Sequence, residues 1–62
     1  MDEPDYVTVN PAMPFRKFNA VVMRFDHTQQ EYVVFRISEA LPETAAKALA
    51  SSWAAAMRVE VR

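Results

Sequence analysis

Glycine is absent from this 62-residue chain, and so is cysteine. The first absence removes the phosphate-cradling loops that need close backbone approach, and with them the common nucleotide-binding motifs. The second removes disulfides and thiolate ligands. With one histidine besides, His27, a structural zinc site of the usual kind is out of reach. No stretch nears the roughly 18 consecutive apolar residues of a membrane span. The start, Met1-Asp2-Glu3-Pro4-Asp5, is acidic where a secretory signal needs positive charge and an apolar run. A cytoplasmic protein without a membrane partner is therefore expected, and the lack of cysteine agrees with a reducing compartment.

What is there is a globular composition, 52% hydrophobic and 24% charged. The length allows one α+β domain, residues 1–62, with residues 1–5 as a frayed, solvated end. A domain of this size buries only about 60% of the surface its unfolded chain exposes, and disulfides or a metal are not at hand to help. That leaves a well-packed core, a partner chain, or both. The net charge of −1 gives no broad field, whereas dedicated nucleic-acid binders are usually basic.

Tyr6-Val7-Thr8-Val9 alternates and is rich in β-formers, so residues 6–9 read as a short strand. Pro11 and Pro14 make residues 10–14 a loop or rigid turn. Residues 18–25 and 32–37, dominated by Val and aromatics, are the two clearest strands. The polar stretch between them has no glycine, which favours a longer hairpin loop over a two-residue turn. From Glu43 to Met57 the period changes: Ala45, Leu49, Trp53 and Met57 recur every four residues and mark a helix face. Alanine is the best helix former, and Pro42 suits the first turn, with Ser38 as an alternative cap. Lys47, Ser51, Ala54 and Ala55 then point outward. Val59 and Val61 suggest a last short strand within residues 58–62. The expected order is β-β-β-α-β, an antiparallel sheet with one helix packed on one face.

In the register that sets Met23 across from Phe35, the residues Val21, Met23, Phe25, Val33, Phe35 and Ile37 form one apolar face for the helix to cover. The other face carries Phe18, Ala20, Val22, Arg24, Tyr32, Val34 and Arg36. A solvated sheet face normally alternates to polar residues, and this one does not. A lone helix covers one side only. The alternative is that Tyr6, Val7, Val9, Met13 and Phe15 fold back over the second face.

Chemistry-bearing constellations are sparse. Asp26-His27-Thr28 has the residue types of a catalytic triad, but adjacent residues do not generally converge as a triad does. The carboxylates fall at termini, loops and the helix start, where Glu39 and Glu43 suit the macrodipole. A pocket of about 300 Å³ or more is not expected from so short a chain. No enzyme activity, cofactor, metal or small-molecule substrate is expected.

The expected function is therefore a non-enzymatic protein-binding module or small inhibitor. It would act through Phe18, Val22, Arg24, Tyr32, Val34 and Arg36 and through exposed strand edges, on a protein partner or on itself as a homodimer. In size and economy, though in no motif, the chain is similar to small phage-encoded inhibitors of host defence complexes such as anti-CRISPR proteins. The competing reading is a nucleic-acid module in which Tyr32 stacks bases while Arg24 and Arg36 hold phosphate, with Arg16, Lys17 and Phe18 nearby.

Overall fold

The structure is a computed structural model that describes residues 4–13 and 16–62. In chain order the elements are β1 (Tyr6–Ala12), β2 (Lys17–Asp26), β3 (Glu31–Ile37), α1 (Glu43–Met57) and β4 (Glu60–Val61). The strands form one four-stranded sheet in the order β3-β2-β1-β4, antiparallel except for the β1–β4 pair. The α+β class, the element order and the helix bounds agree with the sequence reading. β1 is longer than expected, running through Pro11 to Ala12. Beyond Val7 it pairs with no strand on the β4 side among the described residues, only the Thr8 hydroxyl donating to the Arg62 carbonyl at 2.8 Å, and an edge tolerates a proline.

The helix lies on the face opposite to the one expected. Its buried residues are Ala46, Ala50 and Ala54, and the last two form the core with Val7, Ala20 and Val22. Leu49, Trp53, Val9 and Val59 border this core. Ala54 therefore points inward rather than outward, and Ala45 is exposed. Alanines at the centre of the contact let the helix backbone approach the sheet closely, while the larger Leu49 and Trp53 fill its flanks.

The chain closes α1 without a glycine. Arg58 adopts the left-handed conformation (φ 58°), the Val59 N–H donates to the Ala54 carbonyl (3.0 Å), and the Arg58 N–H donates to that of Ala55 (3.3 Å). This is the Schellman arrangement, with Val59 packed back on the core beside Ala54. At the other end Pro42 precedes the helix and its carbonyl accepts from Ala46 N–H at 2.9 Å. Ser38 is not a cap: its hydroxyl accepts from Ala20 N–H (2.9 Å) and donates to the Glu39 carbonyl (2.8 Å), so it continues the pairing of β2.

The hairpin register is the consequential departure. Val21 pairs with Ile37 and Val22 with Arg36, as expected. A β-bulge then intervenes, and Met23 pairs with Val34 instead of Phe35, followed by Arg24 with Val33, Phe25 with Tyr32 and Asp26 with Glu31. The cause is at the turn. The Asp26 carboxylate accepts from the N–H groups of Thr28 (2.8 Å) and Gln29 (3.3 Å), and the Gln30 N–H donates to the Asp26 carbonyl (2.7 Å) with Gln30 at φ 59°. This tight Asx-type loop of residues 27–30 takes one residue fewer than the expected register requires. The surplus residue emerges as a bulge at Phe35.

Candidate interaction surface

Pleating from Val22 places Phe18, Ala20, Val22, Arg24 and Asp26 on the helix side of β2, and Val21, Met23 and Phe25 on the open side. Because of the bulge, β3 divides differently. Glu31, Val33, Phe35 and Arg36 lie on the helix side, and Tyr32, Val34 and Ile37 on the open side. The Arg24 guanidinium over the Phe35 ring (4.7 Å) and that of Arg36 over Trp53 (4.2 Å) agree with this placement.

The six residues expected to share one surface are thus split. Phe18, Val22, Arg24 and Arg36 are on the helix side, and only Tyr32 and Val34 are on the open side. Val22 is 1% exposed beneath the helix and is not available to a partner. Phe18 is half-buried, and its N–H and carbonyl bond Leu41 at 2.7 and 2.8 Å. Arg24 forms an ion pair with Asp5 at 3.3 Å. The stacking platform of Tyr32 with Arg24 and Arg36 is not assembled, because the sheet separates the aromatic residue from both arginines.

The open side is partly furnished by the chain itself. Tyr32 meets Tyr6 and Phe25 edge to face (4.9 and 5.3 Å between centroids), and its hydroxyl donates to the Pro4 carbonyl at 2.9 Å. Arg62 stacks over Tyr6 at 4.5 Å. The Glu60 carboxylate, bonded to Arg62 at 2.6 Å, holds that guanidinium above its ordinary pKa, and Tyr32 acts in the same sense. Val21 is buried on this side, between its cross-strand neighbours Thr8 and Ile37. Pro4 and Asp5 are therefore held to the sheet rather than frayed, while Met1, Asp2 and Glu3 lie outside the described residues. The first strand does not fold over the open side. It joins the sheet beside β2, sending Val7 and Val9 to the helix side and Tyr6 to the open side. Of the other two candidate covers, Met13 is exposed and Phe15 lies outside the described residues.

What the sequence reading missed is how far β3 lies outside the helix. The α1 backbone packs over β1, β2 and β4 and does not reach β3, which overhangs as the outermost strand. Val33, Phe35 and Ile37, expected under the helix, are 37%, 60% and 58% exposed, and Val34 is 57% exposed. The edge strand thus presents apolar side chains on both sides of the sheet and, among the described residues, an unpaired row of backbone groups along its outer margin. The run Tyr-Val-Val-Phe-Arg-Ile marks a strand with two apolar sides, but such a run reads equally as a central strand.

Other candidate chemistry stays dispersed. The His27 ring rests 5.0 Å from that of Phe25 in the hairpin loop. Among the described residues no three His, Asp or Glu side chains gather as a metal site. A half-open depression of about 730 Å³ lies between Pro11, Met13, Lys17, Phe18 and Glu43, larger than the sequence suggested. No helix among the described residues is long and apolar enough to cross a membrane. No protein-family model matches the sequence, and neither the curated proteins nor the solved structures gave a match.

Proposed function

We propose that this chain is a non-enzymatic protein-binding module that takes up a partner along the outer margin of β3. The observation that carries the reading is the overhang: an edge strand outside the footprint of α1, with Val33, Val34, Phe35 and Ile37 exposed on both of its sides. Unpaired strand edges are templates for strand addition, in which main-chain bonds give affinity and alternating side chains give specificity. Fully burying a Val or Phe contributes about 1.5–3 kcal/mol, so leaving several exposed forgoes much of the stability of a small domain. The bulge at Phe35 limits regular pairing to the first part of β3, which favours a defined partner over open-ended sheet growth. A compact inhibitor that occupies the strand edge of its target is one form of this reading.

The test is site-specific photo-cross-linking in the native host or its extract, with the reactive group placed in turn at Val34 and at Ser51 on the exposed back of α1. Protein adducts are expected from position 34 and not from position 51. No adduct at 34, or equal labelling from both positions, overturns the reading.

A further inference from the structure

We infer that the strand taken up by β3 is β3 of a second copy of this chain, paired antiparallel about a two-fold axis through Val33; this rests on the reading of β3 as the binding edge. A two-fold axis normal to the sheet returns every side chain to its own side, so facing residues must share a side and the axis must pass midway between the two copies of one residue, which is what an axis through that residue means here. An axis through Val33 meets that condition. It sets Glu31 against Phe35 of the second copy, both on the helix side, and Tyr32 against Val34, both on the open side, with Val33 facing itself. An axis through Val34 does not meet it, because the bulge puts Tyr32 and Arg36 on opposite sides.

The same register brings charge into complement. Arg36 neighbours Phe35 on the helix side, so it arrives beside Glu31 of the second copy, twice by symmetry. Among the described residues neither Glu31 nor Arg36 forms an ion pair within its own chain. The Arg36 guanidinium carbon lies 4.2 Å from the centre of the Trp53 ring, and a cation–π contact through the ring face does not use up all five of its N–H donors, so a carboxylate can be bonded as well. The result is a continuous sheet of both copies with both helices on one side. So short a strand pair lies at the small end of protein interfaces, so the association depends on concentration.

Sedimentation equilibrium from micromolar to millimolar chain tests this. A monomer–dimer equilibrium is expected. Glu31→Arg or Arg36→Glu alone weakens it roughly threefold to tenfold, and the double swap restores it. Because the chain has no cysteine, Val33→Cys gives a clean register probe. It forms an intermolecular disulfide readily, whereas Ile37→Cys, off the axis and more exposed, does so slowly. Circular dichroism checks that each variant is folded, and all four positions are exposed, so the charge swap stands if a cysteine variant fails. A monomer at every concentration overturns self-pairing. If that monomer still cross-links another protein from position 34, the binding-module reading survives without it. A dimer indifferent to the charge swap overturns the register.

Discussion

Arg36 holds its guanidinium carbon 4.2 Å from the centre of the Trp53 ring, joining the edge strand to the helix across the part of the sheet that α1 leaves uncovered. A cation–π contact at an exposed site contributes about 0.5–1 kcal/mol. Arg36→Ala is expected to lower the stability of the dilute monomer by that amount, with Arg36→Lys retaining part of it. Urea unfolding followed by the fluorescence of Trp53, the single tryptophan, measures both.

Arg58 occupies a left-handed position that a chain without glycine must fill with a side chain. The Cβ makes this conformation unfavourable by roughly 1–2 kcal/mol. Arg58→Gly keeps the backbone bonds to Ala54 and Ala55 and is expected to raise stability by about 1 kcal/mol, after the added unfolded-state freedom of glycine is offset. Thermal and urea midpoints should rise together.

The orientation of α1 reverses what its periodicity suggests for Ala45, which the spacing put on the covered face, and for Ala50, which it did not. Ala50 is fully buried against the sheet, so Ala50→Leu is expected to destabilise by about 1–3 kcal/mol through overpacking. Ala45 is exposed, and Ala45→Leu is expected to change stability by less than about 0.5 kcal/mol. A larger effect at Ala45 than at Ala50 on the urea midpoint would place the helix in the orientation that the spacing of Ala45, Leu49, Trp53 and Met57 suggested.

Asp26 closes the hairpin through its side chain. Asp26→Ala removes both acceptor contacts and is expected to cost about 1 kcal/mol. It also frees the loop to take the extra residue. The nuclear Overhauser contacts of Met23 would then include Phe35 as well as Val34, a change visible in the spectrum even if the fall in stability is small.

The element order, the helix bounds and the presence of a surplus apolar surface were legible because Val-rich and Ala-rich runs differ in period. The identity of that surface was not. The Asp26 turn decides whether Tyr32 and Val34 share a side with Val22 or oppose it, and that depends on where a carboxylate finds backbone donors rather than on hydrophobic pattern. The helix face was misread for a related reason. Leu49 and Trp53 draw the eye as the largest apolar side chains, yet close approach selects Ala46, Ala50 and Ala54 for the centre of the contact. The overhang of β3 was invisible because nothing in a strand's own residues says how far a neighbouring helix extends over it.

Residue-resolved amide hydrogen exchange tests the role of β3 most directly, comparing the dilute chain with the chain in its associated form. The outward-pointing amides of β3 are expected to exchange almost freely in the first and to become protected in the second, while α1 amides change little. Protection gained along β1 or α1 instead, with β3 exchanging as before, would contradict the assignment of β3 as the binding edge.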